Sequence, residues 1–173
     1  MITAIGDVMR EAYKRNWITT RDGNCSLRKK EVEKLYITPS GVRKNIIFPE
    51  SVVRIEIVNN ELVMTDGREP SGELEMHWLL QEHHGGTRCV LHLHPTYIVA
   101  AMLAGWDLQA LAAEFPEVHR YTKVAKNVPT LPAISSQLAL ATYERMTEGG
   151  VLYDVVGQDR HGVCAIGKNR SEE

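Results

Sequence analysis

His92 and His94 stand two positions apart in the apolar run Arg88-Cys89-Val90-Leu91-His92-Leu93-His94-Pro95. Side chains alternate between the faces of an extended strand, so both imidazoles point one way and Leu91 and Leu93 the other. Two imidazoles side by side at the end of a rigid strand can take a divalent metal without rearranging. His161 supplies a third: it enters a later strand, and Gly162 behind it leaves room for something close to the backbone. Two histidines from one strand and one from another, with a coordination position open, make the pattern of a catalytic rather than a structural zinc site. His77, His83, His84 and His119 are read as packed histidines.

Three other segments carry polar chemistry. Glu73 follows Pro70-Ser71-Gly72 at the start of a helix built on Leu74, Met76, His77, Leu79 and Leu80, which ends near His83-His84-Gly85-Gly86. Ser71 is the expected N-cap, and the free N–H groups of the first turn face any anion nearby. Alone, Glu73 reads as a carboxylate favoured at the positive end of a helix. Thr20-Arg21-Asp22-Gly23-Asn24-Cys25-Ser26 reads as a turn-rich loop before a short strand, Leu27 to Lys30. It is either a plain β-turn or an anion cradle of backbone N–H groups. Pro39-Ser40-Gly41 is another tight turn with small polar groups.

The elements that must position these residues follow from periodicity. Ile2, Ile5, Val8, Met9, Ala12 and Tyr13 recur at helical spacing, giving a first helix up to about Asn16. Leu35 to Thr38 reads as a strand. Val53, Ile55 and Ile57 alternate with charged residues and turn at Asn59-Asn60 into Leu62-Val63-Met64, a hairpin. Pro95 suits the first turn of a helix that continues from Ile98 to Leu103, and Leu108 to Ala113 is a short helical piece. Glu117 to Val124 reads as a strand with Val118, Arg120, Thr122 and Val124 on one face. Ser135 or Ser136 caps a helix from Leu138 to Met146 that stops at Gly149-Gly150. Two last strands, Leu152 to Val156 and Val163 to Ile166, are joined through 157–162. Ser171-Glu172-Glu173 reads as the cap and first turn of a helix whose body is missing, so a truncated C-terminal helix is expected.

Composition narrows the function classes. At 173 residues, one domain is expected over 1–173. With 20 basic against 22 acidic residues and a net charge of -2, no nucleic-acid or anionic-membrane partner is expected. No apolar stretch is long enough to span a bilayer and the N-terminus lacks the pattern of a signal peptide. Three cysteines without metal-binding spacing suit a reduced, cytoplasmic protein.

Taken together, Gly23-Asn24-Cys25-Ser26, Ile37-Thr38-Pro39-Ser40-Gly41, Pro70-Ser71-Gly72-Glu73 with His77, His92-Leu93-His94-Pro95 and His161-Gly162 occur in an order and at separations that resemble the class II aldolase/adducin-head family. That group contains the fuculose- and rhamnulose-1-phosphate aldolases. The resemblance covers the chain from its first helix to residue 167. It implies a three-layer α/β/α fold around a mostly antiparallel sheet, and a C4 homotetramer with sites at subunit interfaces. It implies Zn2+ on His92, His94 and His161, with other divalent metals accepted. It implies Glu73 as the catalytic acid or base, and a sugar-phosphate substrate whose phosphate lies on Gly23, Asn24, Ser40, Gly41, Ser71 and Gly72. Tyr121 stands near the place of a family tyrosine that protonates the leaving oxygen across the interface.

Two positions depart from the family pattern. Gly72 stands where the aldolases carry a second serine, which removes a phosphate hydroxyl. Arg21 stands where a small hydroxyl residue often lies, and its guanidinium is expected to compensate by a charge-assisted contact. Three rivals share the fold. Pentulose-phosphate 4-epimerases typically carry Asp at the position of Glu73. Methylthioribulose-1-phosphate dehydratases resemble the chain at Ile37-Thr38-Pro39-Ser40-Gly41-Val42-Arg43-Lys44. They place a glutamate near residues 119–122, where this chain has none; between Glu117 and Asp154 its only acids are Glu144 and Glu148. An adducin-like scaffold would not need the histidines. Cleavage of a ketose 1-phosphate to dihydroxyacetone phosphate and an aldehyde is therefore the expected reaction.

Overall fold

A computed structural model describes residues 2–168. In chain order the elements are α1 (Ile2–Lys14), β1 (Asn24–Lys29), β2 (Lys34–Ile37), β3 (Val53–Val58), β4 (Glu61–Met64), α2 (Leu74–His83), β5 (Thr87–Leu93), α3 (Thr96–Leu103), α4 (Leu108–Ala113), α5 (Pro116–Tyr121), β6 (Val124–Val128), α6 (Ser136–Met146), β7 (Val155–Gln158) and β8 (Gly162–Lys168). The eight strands form one sheet in the order β4-β3-β2-β1-β5-β8-β7-β6. Every pair is antiparallel except β6 with β7.

Alternation along the strands divides the core into layers. Ile5, Met9 and Ala12 of α1 fall on one helical face and pack with Cys25, Leu93 and Val163 from one side of the sheet, together with Met102 of α3 and Leu108 of α4. On the opposite side, Met76 and Leu80 of α2 and Leu138, Ala139 and Met146 of α6 cover Val90, Val156 and Cys164. Val163 and Cys164, adjacent in β8, thus face opposite layers. The arrangement is α/β/α around a mostly antiparallel sheet. Beneath Leu74 and Trp78 of α2, Leu35, Ile37, Val53 and Ile55 continue the core. Burying a side chain such as Ile5 or Leu80 completely stabilises the fold by about 1.5–3 kcal/mol.

Several boundaries differ from the sequence expectation. Residues 116–121 are helical: Pro116 occupies the first helical turn with its fixed φ, and His119 and Arg120 sit in the last turn, where the helix dipole favours basic groups. The strand begins only at Val124. Asn24, Cys25 and Ser26 belong to β1 rather than to the preceding loop, because they pair with His92, Leu91 and Val90 of β5. Ser71 does not cap α2. Its Oγ accepts from Glu73 N at 3.4 Å and its carbonyl from Leu74 N at 3.0 Å, a turn that delays the helix to Leu74. His94 lies one residue beyond β5, where its N–H bonds to the carbonyl of Trp17 at 2.9 Å. His161 lies in the three-residue turn between β7 and β8, because Gly157 and Gln158 already pair within the sheet. The expected cap at Ser171-Glu172-Glu173 falls outside the described residues.

Candidate metal centre and cleft

Antiparallel pairing sets Asn24 of β1 directly opposite His92 of β5, both on the α2 side of the sheet. The α2 start lies above them, and Glu73 and His77, four residues apart, share one helical face. The β7–β8 turn brings His161 to the same place. One nitrogen from each of His92, His94 and His161 lies within 4.8 Å of the others.

The hydrogen bonds aim those nitrogens. His92 Nδ1 donates to the carbonyl of Val163 at 3.1 Å, and His94 Nδ1 donates to the Asp22 carboxylate at 3.1 Å. Both Nε2 atoms are therefore left with lone pairs, and they lie 2.8 Å apart. Two imidazole lone pairs that converge are mutually repulsive unless a cation sits between them, so the donor set fits a divalent metal. Burial, then the neighbouring His94 and His161, holds the His92 pKa well below its usual value. Burial, then His94, also lowers the His161 pKa. A neutral imidazole is the form a metal needs. Gly162 is required here: a Cβ would strike the carbonyl of Leu93 and come within 2.5 Å of the His94 ring.

Glu73 is 7% exposed. Its Oε2 lies 3.5 Å from His92 Nε2 and its Oε1 3.7 Å from His161 Nε2. Burial raises its pKa, partly offset by a hydrogen bond from Asn24 and by His94. Asn24 Nδ2 donates to Glu73 Oε2 at 2.8 Å. His77, fully buried with its pKa pushed down to about 3, is neutral. It donates from Nε2 to Asn24 Oδ1 at 2.5 Å and accepts at Nδ1 from Ser26 Oγ at 2.7 Å. The line Ser26, His77, Asn24, Glu73 fixes which way the amide points and hence which carboxylate oxygen is held. Among the described residues Glu73 Oε1 has no hydrogen-bond partner, and it is the oxygen available to a ligand.

A cleft of about 230 Å³ opens over these groups. Its walls hold Arg21, Gly23, Ser40, Gly41, Ser71 and Gly72, together with Asp22, Lys44 and Ile134. Gly23 has φ +73° and a Cβ there would lie 2.5 Å from Ile18 Cγ2. Arg21 Nη1 donates to the carbonyl of Gly41 at 2.9 Å, joining the two turns. Asn24 also lines the cleft, with its amide engaged by Glu73 and His77. A Cβ on Gly72 would come within 2.7 Å of Ile134 Cγ2, so the space of a side chain at 72 is already filled. Ile134 holds φ +56°, rare for a β-branched residue, just before the Ser135 cap of α6. Tyr121 is not among the lining residues; it is 75% exposed at the end of α5.

Sequence reasoning assigned no site role to Asp22, Lys44 or Ile134, and His77, read as a packed histidine, is indeed buried but also holds Asn24. For His77 a signal existed, its i+4 spacing from Glu73. Burial turns the Asp22 pKa upward, but its bonds to Thr19 and its contact with His94 outweigh that and leave it lowered. Nothing local marks the rest: Asp22 reaches the site through its bond to His94, and Lys44 and Ile134 reach it through loop packing.

The family model described as Class II Aldolase and Adducin N-terminal domain matches residues 3–172. The chain is 25% identical over 171 residues to an L-fuculose phosphate aldolase of Methanococcus maripaludis, spanning 99% of this chain and 87% of that one. A methylthioribulose-1-phosphate dehydratase of Leptospira biflexa is 27% identical over 99 residues, 54% of this chain and 47% of that one. The solved structure of L-fuculose-1-phosphate aldolase from Thermus thermophilus superimposes with a TM-score of 0.75 at 24% identity, over 98% of this chain and 80% of that one.

Proposed function

The chain belongs to the class II aldolase and adducin N-terminal domain family, and from that premise we propose that it cleaves a ketose 1-phosphate to dihydroxyacetone phosphate and an aldehyde. The observation that carries this reading is the free Oε1 of Glu73 beside three converging imidazoles in one cleft. His92, His94 and His161 would hold a divalent cation, Zn2+ in this reading, which would supply Lewis-acid polarisation of the ketose carbonyl. Glu73 holds or moves the proton at the carbon that becomes nucleophilic, with Asn24 and His77 keeping its other oxygen fixed. The turns at Gly23 and Ser40-Gly41 and the Ser71-Gly72 segment hold the phosphate, and Arg21 adds charge to them. Remote phosphate binding then orients the reacting end. Tyr121 is exposed and suited to serve a neighbouring subunit of a homotetramer. In this reading the protein works in the cytoplasm, which suits its three unpaired cysteines. No helix among the described residues is long and apolar enough to cross a membrane.

A coupled assay for dihydroxyacetone phosphate, with fuculose 1-phosphate and 5-deoxyribulose 1-phosphate as substrates, tests the reading. Release that disappears in Glu73→Gln supports it; no release from any ketose 1-phosphate by zinc-loaded protein removes it.

The dehydratase is the second reading, favoured by the Leptospira relative. Water loss from methylthioribulose 1-phosphate without a three-carbon product would put it first.

A further inference from the structure

Lys44 is an unusual lysine. It is 4% exposed, and its Nζ donates to the carbonyls of Pro39 and Val42, each at 3.2 Å. An ammonium has three N–H donors, so one is left over, and Lys44 lines the cleft. Its backbone N–H donates to the carbonyl of Thr20 at 2.8 Å, which ties the 39–44 turn to the loop that carries Arg21. Among the described residues no carboxylate forms an ion pair with it. The acid that acts on it, Asp22, is already committed to Thr19 and His94.

A buried charge without a counter-ion is costly, and carbonyl dipoles offset only part of that cost. Arg21 adds a second positive charge to the same turn through its bond to Gly41. Burial, with Arg21 as a further cause, depresses the Lys44 pKa, and Asp22 opposes this. Two like charges flanking Ser40-Gly41 repel each other, and one anion between them would relieve both. Gly72 offers no hydroxyl, and Ile134 fills the space where one would stand.

We propose that Lys44, paired with Arg21, is the principal anchor for the anionic terminus of the substrate, an oxyanion of the phosphate class. Charge in this chain takes the place of the hydroxyl absent at residue 72. The inference deepens the sugar-phosphate reading and rests on it only for the identity of the anion.

The test is calorimetric titration of the full chain with inorganic phosphate, zinc-loaded and zinc-free in parallel. Lys44→Gln keeps donors for the two carbonyls and removes the charge, whereas Lys44→Arg keeps the charge. Phosphate affinity is expected to fall at least about tenfold in Lys44→Gln and less than about threefold in Lys44→Arg, with zinc affinity unchanged in both. Wild-type affinity in Lys44→Gln, equal losses in the two variants, or no saturable binding by the wild type overturns the proposal. Should Lys44→Gln fail to fold, Arg21→Gln at its exposed position decides: a several-fold loss supports the cation pair and no loss refutes it. Phosphate binding that depends on Lys44 without aldol cleavage would leave this inference standing and remove the aldolase reading. Cleavage with an unchanged KM in Lys44→Gln would do the reverse.

Discussion

Asn24 donates its side-chain amide to Oε2 of Glu73 at 2.8 Å, the bond by which β1 fixes the carboxylate at the start of α2. His77 in turn fixes Asn24, so the carboxylate is oriented by a line of neutral groups reaching back to Ser26. Of the two carboxylate oxygens, Oε1 is the one without a hydrogen-bond partner among the described residues.

Asn24→Ala should therefore act on chemistry more than on binding. A lost hydrogen bond to a charged group is worth about 1.5–3 kcal/mol, so kcat is expected to fall about tenfold or more with a smaller change in KM. Steady-state kinetics on a ketose 1-phosphate read the split. A rise in KM alone would instead assign the Asn24 side chain to the phosphate.

His77 makes stability depend on pH. Its folded pKa of about 3 lies below the unfolded value near 6.5, so the unfolded chain binds the extra proton. The contribution is fully present above pH 6.5 and is lost as pH falls towards 3. Between pH 7 and 5 it amounts to roughly 2 kcal/mol. Urea unfolding at both pH values should show a loss smaller by about that amount in His77→Gln than in the wild type. Equal losses would contradict a neutral buried His77.

Gly162→Ala places a methyl group against the Leu93 carbonyl and the His94 ring. Displacing that imidazole should weaken zinc at least about tenfold in a competition titration with a chelating dye. Unaltered zinc affinity would mean that His94 is not a ligand.

Gly72→Ser, the change towards the family pattern, should be harmful alone. The new Cβ meets Ile134 Cγ2, a stiff branched methyl, and overpacking of this kind costs about 1–3 kcal/mol. Adding Ile134→Gly removes the obstruction and the left-handed strain together. The double variant should recover thermal stability that the single variant loses; additive losses would show that the two positions do not compete for space.

Much of this was legible in the sequence because it depends on local spacing. The H-x-H alternation at His92 and His94 needs only the two-residue strand period, and the facing Leu91 and Leu93 do enter the opposite core. The amphipathic faces of α1 and α6 and the Asn59-Asn60 hairpin were equally local. The 116–121 segment misled because alternation and a short helix look alike over six residues, and Pro116 was the stronger signal. Lys44 and Asp22 were invisible for another reason. Their surroundings come from loops distant in sequence, and no local pattern records that Lys44 will bond to Thr20 and Arg21 to Gly41. Ile134 matters only because Gly72 leaves room for it.

The most direct test of the central claim is proton exchange into dihydroxyacetone phosphate in D2O, followed by NMR with zinc-loaded protein. It needs only the half of the substrate common to all such aldolases. Exchange is expected in the wild type and is expected to vanish in Glu73→Gln and in His94→Ala. Exchange that persists in Glu73→Gln, or none in the wild type with zinc bound, would contradict that claim.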